Sequence, residues 1–381
     1  MKFFKLNHAF LKEKSCLLLL IFILLLQNPE ADAQQKGSKK KEKHFEAEFS
    51  FATIYDNNIL KYSEKYLDRF LNNEDKGRFH IDTYDDIILY PSLGLTSTFR
   101  IFKKVKSKIN FNFNNSTYTI NGIKSWMYLS TGFQQYITKR ASFKVLYSYI
   151  PDFYVRHFRD DDWVEVYGYT PETFVPFGFS KDNFGFWIQN TFFKNTRVKL
   201  SLDYARYFHN KHYTEYDCNN YLFGGNIYQQ LNKKLKLEIG YVFVTSDAKG
   251  FDEPGESKED TDDSDASYKA NEYFLGFTWQ MPRFKKHDHD LDIGAEFEKR
   301  YYLSEHYYEV DPEHAGRIDN NFKLQVLYAI ELNKSFKLSA FYNYFMRNSN
   351  TSAVENQSYL SEEKDYRQSQ AGLKITYNLT F

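Results

Sequence analysis

The chain has 381 residues, and its 50 Lys and Arg balance 50 Asp and Glu, so its formal net charge is zero. Without an excess of positive charge the chain lacks the usual electrostatic basis for binding nucleic acid, and we expect no nucleic-acid partner. The aromatic fraction is 19%, with 37 Phe and 32 Tyr. Aromatic residues favour β-strands, and Tyr suits positions that are apolar on one side and wet on the other, so the composition indicates a β-rich protein.

The first 33 residues have the charge and hydrophobicity pattern of a secretory signal peptide. Four lysines precede the apolar run Cys16–Leu26, and the small-residue sequence Ala31-Asp32-Ala33 follows it. The apolar run is too short to span a bilayer comfortably. We therefore predict a cleaved signal peptide at 1–33 and a short basic periplasmic linker at 34–43. Cys218 is then the one remaining cysteine, so we expect no intrachain disulfide.

From residue 44 to residue 381, apolar and polar side chains alternate with the period of two that a strand with one apolar face requires. Six short turns rich in Lys, Arg or Asn join such segments in pairs, and longer polar connections, such as Leu60–Asp85 and Pro151–Gly178, join the pairs. Because the same unit recurs, we predict about 14 strands joined as hairpins. Their approximate bounds are 44–59, 85–101, 106–119, 124–138, 141–155, 178–193, 196–210, 216–231, 234–247, 269–282, 289–304, 317–331, 334–348 and 364–381.

The last predicted strand has the most specific pattern. Its apolar residues alternate with polar ones, and the chain stops on an aromatic; the apolar set is Leu373, Ile375, Tyr377, Leu379 and Phe381. This resembles the C-terminal assembly signal of Gram-negative bacterial outer-membrane β-barrel proteins, and the strand pattern of the whole mature chain is similar to that of porin-like barrels. The resemblance implies recognition by the barrel-assembly machinery during biogenesis, and contact with outer-membrane lipid and lipopolysaccharide.

The predicted strands are longer than the ~5–6 residues usual in soluble sheets, and they suit a tilted crossing of ~9–11 residues in hydrocarbon. Tight turns at one end and long polar loops at the other are typical of outer-membrane barrels, and a closed barrel leaves no backbone edge exposed to lipid. We therefore predict an all-β fold, a single transmembrane antiparallel up-and-down barrel over 44–381. Its long loops are expected to be extracellular and its short turns periplasmic.

In such a barrel the apolar faces meet lipid and the polar faces meet the lumen. Both signs of charge occur on the polar face, which predicts a polar passage with weak ion preference, unless the charges pair across strands and merely fill the interior. The small residues on this face are expected to leave space; they are Ser201, Gly240, Gly276, Gly294, Ser339 and Gly372. The predicted lumen-lining residues are Glu46, Glu48, Arg100, Lys108, Lys144, Lys199, Asp203, Lys236, Glu238, Asp292, Glu296, Lys323, Lys337 and Lys374.

We predict no catalytic residue, no cofactor and no metal site. His287-Asp288-His289-Asp290 falls in a short turn, and the acidic stretch from Asp252 to Asp265 lacks the spacing of a calcium-binding loop, so both are interpreted as solvated connections. The segment Lys61–Asn73 is compatible with a short helix that either constricts the barrel mouth or caps its rim. The predicted function is a porin-like channel for passive diffusion of small hydrophilic solutes. The alternative is a barrel without a pore, with a structural, adhesive, secretion-accessory or enzymatic role.

Overall fold

The computed structural model describes residues 45–75, 77–102, 105–261, 263–284 and 286–381, with the backbone alone for Asp161 and Asp162. The predicted signal peptide and linker lie outside these residues. Within them, 14 strands form one closed antiparallel barrel in which each strand pairs with the next, and β1 with β14. The predicted all-β barrel and its strand number are confirmed.

The strands follow the chain without crossovers. They are β1 (Phe45–Asp56), β2 (Asp86–Phe99), β3 (Ser107–Tyr118), β4 (Trp126–Tyr136), β5 (Ala141–Arg159), β6 (Phe174–Phe193), β7 (Thr196–His209), β8 (Cys218–Gln230), β9 (Leu235–Ala248), β10 (Tyr268–Phe284), β11 (His287–Tyr302), β12 (Arg317–Glu331), β13 (Phe336–Thr351) and β14 (Tyr366–Thr380).

Three short helices lie in the long connections: α1 (Glu64–Leu71), α2 (Asp161–Tyr167) and α3 (Gln357–Lys364). Short 3₁₀ turns occur at Gly122–Lys124, Pro171–Thr173, Thr214–Tyr216 and Val354–Asn356. Among the described residues, no helix is both long and apolar enough to cross a membrane.

The predicted loop Pro151–Gly178 is wrong in extent, because β5 and β6 continue far into it. They remain paired up to Arg159 and Phe174, with shifts in register between Ile150 and Phe153 and between Tyr154 and Arg156. Pro151 has no N–H to donate to a ladder, and it lies inside the first irregularity, where the pairing is interrupted. The connection between the two strands therefore shrinks to residues 160–173.

The two faces of the barrel differ in exposure as an apolar outside requires. On β2, Ile87 is 46% exposed whereas its neighbour Ile88 is 4% exposed. Exposed large apolar side chains recur on strands all around the barrel; they include Phe51, Val145, Phe186, Leu200, Phe223, Ile239, Leu275, Ile293, Leu338 and Leu373. A belt of this kind exposed to water would be unfavourable, whereas lipid is its natural solvent.

Candidate channel interior

The first long connection folds into the barrel. Leu60, Tyr62 and Tyr66 form a buried cluster with Ile88 and Tyr118, which lie on the inward face of β2 and β3. Tyr62 is 1% exposed and Tyr66 2% exposed, so these rings are core residues of the barrel interior. The start of the segment Lys61–Asn73 therefore packs against the inner face of the barrel, and that it constricts the mouth stays a prediction.

Side chains at the end of β1 hold this inward loop in place. The side-chain amide of Asn58 donates to the carbonyl oxygens of Tyr62 (2.8 Å) and Arg367 (3.0 Å), and its oxygen accepts from the Tyr62 N–H at 2.8 Å. Ser63 caps α1, its hydroxyl accepting from the N–H of Tyr66. The Lys65 ammonium lies 2.8 Å from a carboxylate oxygen of Glu363 at the end of α3. The loop is thus tied to both β14 and α3.

Beside the inward loop lies a cavity of about 660 Å³ at the long-loop end. We call it the cationic chamber, because seven cationic side chains line it against the two carboxylates of Glu313 and Glu363. Its walls are rich in aromatic rings, among them Trp126, Phe153 and Phe177. The seven cations are Lys61, Lys124, Arg156, Arg300, Arg317, Arg347 and Lys364.

Four of these cations have carboxylate partners. Arg317 donates two hydrogen bonds of 2.7 Å to Asp319, and Arg347 lies 3.5 Å from the same carboxylate. Arg300 donates to Glu298 at 2.9 Å. Lys364 forms an ion pair with Glu313.

Burial by itself would raise the pKa of Glu313, but the neighbouring Lys364, His314 and Arg317 hold that pKa below its usual value. Glu313 is therefore a charged partner for Lys364 at neutral pH.

The other three cations have no carboxylate within 4.0 Å among the described residues. Lys124 donates to the carbonyl oxygens of Tyr154 (2.8 Å) and Val155 (3.4 Å). Arg156 donates from one terminal nitrogen to the carbonyl oxygen of Leu60 at 2.9 Å. The ammonium of Lys61 lies over ring faces, 5.5 Å from the centroid of Phe345 and 5.6 Å from that of Tyr366.

The pKa of Lys124 reflects this arrangement. Burial first, and then the charges of Lys61 and Arg156, lower the pKa of the Lys124 ammonium to about 7, and Asp56 opposes them. Like charges held together favour the neutral amine. At Lys124 the repulsion from Lys61 and from Arg156 therefore outweighs the attraction of Asp56.

A second cavity, of about 880 Å³, is lined by Lys194 and Arg197 at a short turn and by residues of the strands above it. Here the prediction about glycines is wrong. A side-chain carbon built on Gly276 would lie 2.8 Å from the ring of Phe274, and one on Gly372 would lie 2.4 Å from the ring of Phe341. Both rings point inward and cover the glycines, so the missing side chains accommodate aromatic rings and do not leave open space.

The predicted lumen-lining residues are distributed as follows. Thirteen of the fourteen lie within strands, and directly opposed residues project to the same side of a sheet. Lys236 opposes Thr278, which opposes Asp292, and all three line the second cavity, as do Glu238 and Lys374.

The other charged positions continue the same inward face. Glu296 opposes Lys323, with their charged atoms 3.8 Å apart. The remaining strand positions are Glu46, Glu48, Lys108, Lys144, Lys199, Asp203 and Lys337. Arg100 differs, because β2 ends at Phe99 and leaves Arg100 exposed in the turn. That these side chains line an open passage stays a prediction.

The C-terminal residues lie where a lipid-facing signal needs them. Leu373 and Ile375 are 62% and 45% exposed, on the face opposite the inward Lys374, and Tyr377 and Leu379 continue their row. Phe381 is 69% exposed, its N–H donates to the carbonyl oxygen of Phe45 at 2.9 Å, and the two rings lie 6.0 Å apart. Recognition of this strand during assembly stays a prediction.

One histidine in the chamber wall has the partner of a catalytic base. The Nδ1 of His314 lies 2.9 Å from a carboxylate oxygen of the fully buried Asp311. Within the described part of the chain, however, no hydroxyl or thiol is hydrogen-bonded to the His314 ring. The pair lacks a nucleophile, and the expectation that the protein is not an enzyme stays a prediction.

The acidic stretch brings carboxylate oxygens of Asp252, Glu256 and Asp263 within 4.8 Å of one another. One oxygen of Asp263 already accepts from the Asp252 N–H (2.8 Å) and from the Thr261 hydroxyl (3.2 Å). Burial, and then Asp252, raise the pKa of Asp263 to about 6. In the histidine-rich turn, Arg283 pairs with Asp288, and His289 contacts the Tyr328 hydroxyl. Both clusters have internal contacts, and the expectation that neither holds a metal stays a prediction.

The sequence analysis did not identify Lys61, Lys124 and Arg156, the cations without carboxylate partners. Each lies in or next to a long connection, in the inward loop, in the Gly122–Lys124 turn, or in the irregular end of β5. Strand periodicity assigns no face in such segments. A weak signal existed in the lysine and arginine residues placed beside aromatics in connections that were otherwise expected to be solvated.

Comparison with known proteins gives similarity of fold. No protein-family model matches the chain, and no curated protein matches it. Among solved structures, a loop L8 deletion mutant of OmpT, an outer membrane protein of Vibrio cholerae, is 8% identical with a TM-score of 0.45, over 88% of this chain and 99% of that one. The outer membrane channel DcaP of Acinetobacter baumannii is 10% identical with a TM-score of 0.44, over 91% of this chain and 100% of that one.

An anion-selective porin from Comamonas acidovorans is 9% identical with a TM-score of 0.40, over 88% of this chain and 98% of that one. At such identities the likeness concerns the barrel fold alone, and the assignment rests on the barrel itself. A closed barrel whose backbone hydrogen bonds are satisfied internally and whose outward face is apolar is suited to lipid. The described chain is therefore a closed 14-strand β-barrel with an apolar outer belt, the architecture of a membrane-spanning barrel.

Proposed function

We propose that the protein is an outer-membrane channel through which small hydrophilic solutes diffuse passively, with a preference for anions. The observation that carries the proposal is the cationic chamber at the long-loop end, in which three of the seven lining cations have no carboxylate within 4.0 Å among the described residues. A cleft lined by one sign of charge raises the local concentration of the opposite ion. The preference differs from the weak one expected from the strand residues alone, because Lys61 and Lys124 come from connections.

The barrel size supports a conducting interior. Barrels of ~8 strands are filled by their own side chains, whereas ~16–18 strands leave an aqueous channel. Fourteen strands lie between these cases. The inward loop and the rings of Phe274 and Phe341 narrow the interior, so we expect a small conductance.

The test is conductance of the purified barrel in a planar bilayer under a salt gradient. The reversal potential should indicate that chloride permeates better than potassium. Replacing Lys374 in the second cavity by Glu should shift the reversal potential toward cation selectivity. Lys233→Glu, in an exposed short turn, should shift the reversal potential less. If neither the wild type nor a variant without residues 64–81 conducts, the channel proposal fails and a barrel without a pore takes its place.

A further inference from the structure

The three cations without carboxylate partners are arranged so that some of their hydrogen-bonding capacity is unused. A guanidinium has five N–H donors, and among the described residues Arg156 uses one terminal nitrogen, toward the carbonyl oxygens of Leu60 and Lys61. An ammonium has three donors, and Lys61 has ring faces as neighbours and no hydrogen-bond acceptor in the described part of the chain. These donors adjoin a cavity of about 660 Å³.

The charges are also only partly compensated. Lys61 and Arg156 both lower the pKa of Lys124, and the opposing effect of Asp56 is smaller than either. Asp56 is itself engaged, because its carboxylate accepts hydrogen bonds from Gln368 and Gln370. Grouped cations whose charges are only partly balanced are costly in a partly desolvated site, and a bound anion would relieve that cost. This favours an anionic occupant over water.

The wall next to these cations is aromatic. The Lys124 ammonium lies 4.8 Å from the ring centroid of Phe153, which stacks on Phe179 at 5.1 Å, and Trp126 meets Phe153 edge-on at 5.5 Å. Inorganic anions gain nothing from such a wall, whereas a flat ring can pack against it. Pockets for small organic ligands typically measure ~300–1,000 Å³, a range that includes this cavity.

We propose that Lys61, Lys124 and Arg156 bind the carboxylate of a small aromatic acid whose ring lies against the Phe153–Phe179 wall. Arg156 supplies the planar fork that matches a carboxylate, and the two lysines add charge from the inward loop and from the Gly122–Lys124 turn. The site is therefore complete only when the inward loop is in place. The inference deepens the proposed function, since it names the solute class, but binding can be measured without flux.

The experiment is calorimetric titration of the folded, full-length mature barrel in detergent with benzoate. Benzamide is the uncharged analogue, and acetate and inorganic phosphate are anions without a ring. Benzoate should bind at least about tenfold more tightly than the other three, because benzamide lacks the charge that the cations attract, and acetate and phosphate lack the ring that the aromatic wall packs. Equal binding of phosphate and benzoate would reduce the site to a general oxyanion site and overturn the aromatic part.

The variant Lys61→Asn removes one charge and suits the backbone, because Lys61 has φ 53° and Asn adopts this left-handed conformation readily. It should weaken benzoate binding about tenfold. Phe153→Leu should weaken the binding of benzoate more than the binding of acetate. The matched control is Lys233→Asn, in an exposed turn, which should bind as the wild type does.

Folding is checked by the different migration of boiled and unboiled samples. If Lys124→Met fails to fold, Lys61→Asn still decides the question. Unchanged benzoate affinity in folded Lys61→Asn overturns the site. Benzoate binding without conductance would support the site and refute the channel, whereas conductance without binding would do the reverse.

Discussion

The side-chain amide of Gln368 donates to both carboxylate oxygens of Asp56, at 2.9 and 2.8 Å, across 312 positions of sequence. Asp56 ends the first strand and Gln368 lies in the last, so the contact closes the barrel seam at the long-loop end. Gln370 adds a third hydrogen bond to the same carboxylate at 2.8 Å. The inward loop leaves β1 directly after Asp56. Asp56 therefore fixes both the seam and the start of the inward loop.

Replacing Asp56 by Ala should weaken this anchor. Asp56 is 1% exposed, and its loss removes the acceptor of the buried Asn58 N–H and two of the hydrogen bonds of the Gln368 amide, which costs ~1–3 kcal/mol. We expect the folded barrel to convert to the slower-migrating unfolded form at a lower temperature in gel assays, and single-channel current to become noisier as the loop loosens. Asp260→Ala, in an exposed connection, is the control. Equal behaviour of the two variants would contradict the anchor.

The rings of Phe274 and Phe341 should limit conductance. Both cover glycines on neighbouring strands inside the barrel. Replacing both rings by Ala enlarges the interior, and we expect a higher single-channel conductance together with lower thermal stability, since the burial of two aromatic side chains is lost. Phe223→Ala, on the lipid face and 51% exposed, should leave conductance unchanged. An unaltered conductance in the double variant would place the narrowest part of the channel elsewhere.

Deleting Phe381 should lower the yield of folded barrel in cells. The deletion removes an exposed aromatic residue, its contact with Phe45, and the backbone hydrogen bond that ends the β1–β14 pairing. The measurement is the amount of heat-modifiable protein in the outer-membrane fraction. Phe381→Tyr keeps an aromatic end and should restore most of the yield. A normal yield after deletion would argue against an assembly role for the terminal residue.

The strands could be predicted because their pattern is local. Period-two alternation needs a few neighbouring residues, and it identified all 14 strands and the outward row of the last one. Even in 178–193, where aromatics occur on both faces, strand pairing decides the matter: Phe186 is 42% exposed and faces outward, whereas Trp187 opposes Lys144 and Ser201 on the inward face.

The interior could not be predicted in the same way, since it depends on contacts between distant residues. Tyr62 packs inward because Ile88 and Tyr118 offer an apolar surface there, and that surface exists only once β1, β2 and β3 are in register. Phe274 covers Gly276 on its own strand and also Gly294 on the next. The glycine positions could be read from the sequence. Which aromatic rings cover them could be known only from the register of the strands.

The pH dependence of ion selectivity tests the cationic chamber directly. Burial and the neighbouring charges of Lys61 and Arg156 lower the pKa of Lys124 to about 7. Below that pH Lys124 is an ammonium and adds to the positive potential, and above it the amine is neutral. The preference for chloride over potassium should therefore decrease as the pH rises from about 6 to about 8.

The effect on stability has the opposite sign. In the unfolded chain Lys124 stays protonated above pH 7, so between the folded pKa and the ordinary lysine pKa the unfolded state binds more protons, and the contribution of Lys124 to stability increases with pH. His209 and His314 also line the chamber. In Lys124→Met both pH effects should shrink. If folded Lys124→Met reproduces the wild-type pH profile of the reversal potential, Lys124 is not the group that controls selectivity.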